Sequence, residues 1–123
     1  MNETYIDLHT HTLLSDGALL PEAVVARAYG EGIRHIALTD HNRIHTNLEK
    51  LRALYTDMEI ISGSEISCEW NTPSGDKKEI HIIGLYLEQT DELKTFLQRN
   101  CDDGVERLEK MLAALKKWGV TFD

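Results

Sequence analysis

Tyr5-Ile6-Asp7-Leu8-His9-Thr10-His11 is a short apolar run that ends in a pair of histidines, with Ser15-Asp16-Gly17 close behind it. The run suits a buried β-strand. Side chains alternate along a strand, so the i, i+2 spacing of His9 and His11 puts both imidazoles on one side, where they can grip one ion. An H-x-H pair alone is as readily a surface coincidence, and its neighbours decide between the two readings. Pro21 then opens a helix, where a missing N–H costs nothing, and Ala23, Val24, Ala26 and Ala28 carry it to Gly30 or Gly32.

The unit repeats. Ile36-Ala37-Leu38 reads as a second strand ending at Thr39-Asp40-His41-Asn42, and Leu48, Leu51 and Leu54 mark a second helix. Glu59-Ile60-Ile61-Ser62-Gly63 opens a third strand that reaches Glu65, and the alternation Glu65-Ile66-Ser67-Cys68 predicts that it continues past the acid. The turn cluster Asn71 to Asp76 and the run Glu79 to Tyr86 predict a hairpin. From Asp91 the chain reads as helix, with Leu93, Phe96 and Leu97, then Val105, Leu108, Met111, Leu112, Leu115 and Trp118 at intervals of three and four. Gly104 is expected to divide this helix, Gly119 to end it, and Val120-Thr121-Phe122 to begin a further strand.

This alternation predicts an α/β fold with a parallel sheet, in a single domain over residues 1–123. Such a sheet gathers strand ends at one rim. His9, His11, Asp16, His41 and Glu65 are expected at or just beyond strand ends, and His81 inside a later strand, so the topology can bring these potential metal ligands together.

Each has a plainer reading. Asp16 before Gly17 suits an Asx-turn, a role compatible with ligation. Asp40 is a candidate acceptor for the free ring N–H of a ligating His41, or a helix cap. Glu65 stands among apolar and small residues, where a carboxylate requires a partner or an ion, and its two oxygens could bridge two cations. His81, between Ile80 and Ile82, could be a satisfied core histidine. His35 and His45 lack this context and are expected at the surface. Arg99 and Arg107 are helix-surface residues or, alternatively, a clamp on phosphate oxygens.

The formal charge of −8 disfavours a phosphate ester or nucleic acid as a direct partner unless bound cations offset it. No apolar run could span a bilayer, and Met1-Asn2-Glu3-Thr4 has nothing of a secretory signal, so a soluble, cytoplasmic protein is expected, with Cys68 and Cys101 as free thiols. There is no glycine-rich nucleotide loop, no C-x-x-C pair and no G-x-S-x-G elbow. Metal-assisted hydrolysis is the chemistry that remains.

Asp7-Leu8-His9-Thr10-His11-Thr12, Ser15-Asp16-Gly17, Thr39-Asp40-His41-Asn42, Gly63-Ser64-Glu65-Ile66-Ser67 and His81-Ile82-Ile83-Gly84 together resemble, in order and context, the PHP (polymerase and histidinol phosphatase) domain family. The resemblance is strongest to stand-alone phosphoesterases acting on nucleoside 3′,5′-bisphosphates and short RNA. It implies a distorted seven-stranded TIM-like β/α barrel with up to three divalent ions (Mn, Fe or Zn) at the strand C-terminal rim. It also implies that His9 and His11 hold one ion with Glu65, Asp16 and His41 a second, and Glu65 and His81 a third. Asp7, Asp40 and Asn42 would support these ligands, and Arg99 and Arg107 would approach substrate phosphate. Asn42 stands where the family usually has Asp.

The function that the resemblance implies is hydrolysis of phosphate esters of nucleotides, short oligonucleotides or another phosphorylated small molecule, by metal-activated water. Histidinol-phosphate phosphatase and a polymerase-associated module are the alternatives within the family, and Asp16 favours the nucleotide branch. A non-catalytic metal-binding half-domain is the alternative of another class. Family members draw a further His and an Asp-x-His pair from a C-terminal half, and no histidine follows His81 here. The chain is therefore expected to be the N-terminal portion of the barrel, to be completed by a C-terminal half or by self-association.

Overall fold

The computed structural model describes residues 5–121. Met1–Thr4 and Phe122, on which expectations also fall, lie outside the described residues. Strands β1 (Tyr5–Thr10), β2 (Ile33–Leu38), β3 (Glu59–Asn71) and β4 (Lys77–Leu85) form one four-stranded sheet in the order β1-β2-β3-β4. Helices α1 (Pro21–Gly30) and α2 (Glu49–Leu54) connect the first three strands, which run parallel, and β4 returns antiparallel to β3. Helix α3 (Asp91–Lys117) follows. No helix among the described residues is long and apolar enough to cross a membrane.

The core lies between the sheet and the first two helices. Val25 and Ala28 of α1 and Leu48 and Leu51 at α2 pack with Ile36, Leu38, Met58 and Ile60, all nearly free of solvent contact. Leu54, third in the apolar triplet of α2, is exposed because only two of its three positions face the sheet.

β1 forms as expected but is not buried. It is an outer strand, and Tyr5, Ile6 and Leu8 are all exposed among the described residues. Its register carries a bulge: Asp7 pairs with Ile36 and Thr10 with Leu38, three steps on β1 against two on β2. Bulges bend a strand and re-aim its side chains. Here the backbone N–H of His9 donates to Asp7 Oδ1 at 3.2 Å, so Asp7 satisfies a backbone group within the irregular segment.

β3 does continue past Glu65, and its hairpin closes on Thr72 to Asp76, with the Thr72 N–H donating to the Asp76 carbonyl at 2.8 Å. Gly104 does not divide α3. One glycine costs a helix only about 1 kcal/mol, and although its immediate neighbours Asp102, Asp103 and Val105 are weak helix formers, the strong formers that fill residues 106–117 carry the helix on unbroken. It ends as expected: Gly119 takes φ +80°, its N–H donates to the Lys116 carbonyl and that of Val120 to Leu115. Val120 and Thr121 form no strand. The apolar stripe of α3 is exposed at Val105, Leu108 and Met111, and only Leu97 is buried.

Candidate metal centre

β1, the two loops that follow β1 and β2, the middle of β3 and β4 converge on one cluster. Glu65 is not at a strand end. It lies midway along β3, just past the last β2–β3 pair, Leu38 with Ser62, and faces His41 across an isolated parallel bridge. The rim of the parallel sheet thus crosses β3 at Glu65 while the strand continues to pair with β4.

Four imidazoles stand in a row. Ring centroids are 5.0 Å apart for His9 and His11, 4.6 Å for His11 and His41, and 5.1 Å for His41 and His81. Glu65, almost fully buried, lies beneath them. Its Oε2 is 3.0 Å from Nε2 of both His9 and His11 and 3.5 Å from His41 Nδ1, while its Oε1 is 2.9 Å from His81 Nδ1. Asp16 Oδ1 lies 2.8 Å from His11 Nδ1, and its Oδ2 lies 3.5 Å from His41 Nε2.

The donors fall into three overlapping groups, His9–His11–Glu65, His11–Asp16–His41 and His41–Glu65–His81, the ligand atoms of each lying within 4.8 Å of one another. The expected assignment paired Asp16 with His41 and Glu65 with His81. The structure adds His11 to the first pair and His41 to the second. The donor chemistry fits divalent cations. A carboxylate oxygen faces each nitrogen of His11, and its Nε2 also points at His9 Nε2 3.0 Å away. Nitrogen and oxygen ligand atoms of several side chains converge here, and mixed imidazole and carboxylate sets suit divalent transition metals.

The electrostatics point the same way. Burial pushes the Glu65 carboxyl up, but hydrogen bonds from His9 and His81 outweigh it and hold the group ionised below the usual range. Asp16 is likewise lowered: desolvation is the largest single influence and opposes, but Ser15, His11 and His41 together prevail. His81 is raised, chiefly by its hydrogen bond to Glu79.

Several surrounding residues take partners other than those expected. Asp40 neither accepts from His41 nor caps α2, whose N-cap is Leu48. Fully buried, it accepts at Oδ1 from the Thr12 N–H (2.8 Å) and Ser15 Oγ (2.6 Å), and at Oδ2 from Thr12 Oγ1 (2.9 Å) and His45 Nε2 (2.6 Å). Burial alone would raise its pKa, but these bonds hold it far below the ordinary carboxylate range. His45 is thus a buried partner of Asp40, against the surface position expected for it. His35 is at the surface as expected, bonded to Glu59.

Asn42 takes φ +50°, a left-handed conformation that Asn tolerates well, and bonds Ser67 and Asn100. It braces β3 against α3, and its backbone N–H donates to the Glu65 carbonyl at 2.9 Å, while its side chain bonds Ser67 and Asn100 rather than a ligand atom. Arg107 reaches the cluster indirectly: it bonds Glu79 Oε2 at 3.2 Å, and Glu79 Oε1 lies 3.3 Å from His81 Nε2. Arg99 is not brought to the cluster, because it lines a shallow depression made by α3 residues alone. Sequence reasoning missed Glu79, although its place two residues before His81 on one strand face could have suggested it. No local pattern marked His45.

Gly17 closes the loop between β1 and α1. A Cβ there would sit 2.5 Å from the His11 carbonyl oxygen, so only glycine lets the chain fold back against His11.

Comparison with known proteins gives a consistent result. The family model described as the PHP domain matches residues 7–99. A 5′-3′ exoribonuclease of Haemophilus influenzae is 39% identical over 92 residues, which cover 74% of this chain and 32% of the relative. A 3′,5′-nucleoside bisphosphate phosphatase of Chromobacterium violaceum is 31% identical over 117 residues, 94% of this chain and 39% of the relative. Among solved structures, an amidohydrolase from Chromobacterium violaceum with bound sulfate superposes with a TM-score of 0.78 at 31% identity, covering 95% of this chain and 40% of that one. The chain therefore spans well under half the length of each of these relatives.

Proposed function

The chain belongs to the PHP domain family, its sheet forming part of that family's distorted β/α barrel, and from this premise we propose that it provides the metal-binding wall of a phosphoesterase acting on nucleotides or short oligonucleotides. One observation carries the reading: the three donor groups share His11, His41 and Glu65, so the positions they define are adjacent. Divalent cations held there would lower the pKa of coordinated water and offset charge on phosphate oxygens. Mn, Fe and Zn all suit the donors, and up to three ions fit this proposal.

The chain's own residues have distinct tasks. Glu65 directs one oxygen to His9 and His11 and the other to His81, so a single carboxylate serves two neighbouring positions. Asp16 and His41 close the third. Arg107, tied to the cluster through Glu79, would offer its guanidinium to a substrate phosphate. The substrate class is supported by the names of the relatives, an exoribonuclease and a nucleoside bisphosphate phosphatase. A cytoplasmic location, where Cys68 and Cys101 would stay reduced, belongs to the same proposal.

A metal-binding half-domain without activity of its own is the second reading. The exposure of Ile6 on β1, Ile82 on β4 and Met111 on α3 favours it, since these faces suit a complementary polypeptide. The test is turnover of a nucleoside 3′,5′-bisphosphate, a short RNA and histidinol phosphate before and after exhaustive chelation. Metal-dependent turnover of the nucleotides supports the enzyme. Undiminished turnover without metal overturns the metal-dependent mechanism, and stoichiometric metal binding without turnover selects the half-domain.

A further inference from the structure

We propose that His45 is a positioning residue for the His11–Asp16–His41 group, acting through Asp40, to which it donates at 2.6 Å. The inference rests on the metal-binding reading above and concerns what holds that group in shape.

Asp40 is the hub. Its side chain grips the loop after β1, through Thr12 and Ser15, while its backbone carbonyl accepts from Ser64 Oγ and from the Glu65 N–H, both at 3.2 Å. One residue therefore links the segment bearing His11 and Asp16 to Glu65, and it is adjacent in sequence to His41. The orientation of its carboxylate sets the loop against His41.

His45 fixes that orientation. Thr12 and Ser15 both belong to the loop being positioned, so they cannot also define where it sits. His45 is the partner of the Asp40 carboxylate from outside that loop, and it is itself anchored, because its backbone carbonyl accepts from Gln89 Nε2 at 2.8 Å. Gln89 lies between β4 and α3, so the contact chain joins three connections of the fold. Asp40 is fully buried and His45 nearly so. An ionised carboxylate in such a place needs every acceptor filled, and each Asp40 oxygen receives two donors. Loss of the His45 donor leaves Oδ2 with Thr12 alone and frees the carboxylate to turn with the loop.

The experiment compares His45→Phe, which keeps a ring but removes the donor, with His45→Gln, which keeps an N–H donor, using Co²⁺ alone as probe. Calorimetry gives affinity and stoichiometry, and visible absorption reports ligand geometry. His45→Phe should weaken at least one Co²⁺ equivalent by about 10–100-fold, the range for partners behind metal ligands, with an altered spectrum. His45→Gln should restore most of the affinity. A folded His45→Phe protein with a lower melting temperature but wild-type Co²⁺ affinity and spectrum overturns the inference, since that is the signature of a purely structural role. If His45→Phe does not fold, Gln89→Leu decides. It removes the donor to the His45 carbonyl without touching the loop after β1 or any ligand, and should weaken Co²⁺ in the same way, whereas unchanged binding overturns the proposal. Wild-type protein that binds no Co²⁺ would instead overturn the metal-binding reading itself.

Discussion

His41 and Glu65 face each other across a single parallel bridge, with the Glu65 N–H donating to the Thr39 carbonyl at 3.1 Å and the Asn42 N–H to the Glu65 carbonyl at 2.9 Å. Backbone geometry, not side-chain chance, sets this imidazole beside this carboxylate. The buried carboxylate beneath a row of imidazoles follows from where β2 stops pairing and β3 goes on.

Glu65→Gln preserves that bridge and the side chain's shape while removing its charge. Two of the three donor groups contain Glu65 and the third does not. Elemental analysis after dialysis against Mn²⁺ or Zn²⁺ should show fewer ions per chain, with affinity at the affected positions down by more than about 100-fold, the upper range seen for indirect partners. Full metal content in this variant would remove Glu65 from the ligand set.

Gly17→Ala should disturb the cluster without touching a donor. The added Cβ would meet the His11 carbonyl oxygen at 2.5 Å and the Thr12 nitrogen at 2.7 Å, both backbone atoms that cannot swing aside. Forced crowding of this kind costs about 1–3 kcal/mol, to be read from urea unfolding, and metal affinity should fall with it.

Gly104→Ala should act in the opposite direction. The position is inside α3 with nothing within 4 Å of an added Cβ, so the gain in helix propensity is unopposed. The expected stabilisation is about 0.5–1 kcal/mol, seen as a higher melting temperature with unchanged metal content.

A pH prediction concerns the opposite end of the sheet. Hydrogen bonds from His35 and Tyr86 hold the Glu59 carboxyl below its ordinary value. A depressed folded pKa means stability that is present above the unfolded value and lost as pH falls through the folded one. The stability difference between wild type and Glu59→Gln, measured with chelator present, should be present at pH 5 and shrink below about 4.3 as the pH falls. A difference that grows on acidification would contradict the assignment.

Much of this was legible because it is local. His9 and His11 share a side through strand alternation, although a bulge lies beside them, and Thr39-Asp40-His41 announces a strand end by its change from apolar to polar residues. What escaped was decided by tertiary position. Ile6 looks like a core residue, but β1 is an outer strand, and a six-residue pattern does not encode how many neighbours a strand has. His45 and Asp40 meet because the loop after β2 curls over the loop after β1, and no periodicity records that. Arg99 and Arg107 are eight positions apart on one helix, yet only Arg107 is bonded to Glu79 of β4.

β3 serves two partners in succession, parallel to β2 as far as Ser62 and antiparallel to β4 from Gly63 onward. Length is therefore fixed on one side of Glu65 and free on the other. One residue inserted between Ser62 and Glu65 would turn the carboxylate to the opposite face. A whole peptide inserted at Ser74–Gly75, in the exposed tip, would shift no pairing between the tip and the cluster. That tip is the natural attachment point for a fluorophore or a surface tether, set on the same two strands that carry Glu65 and His81.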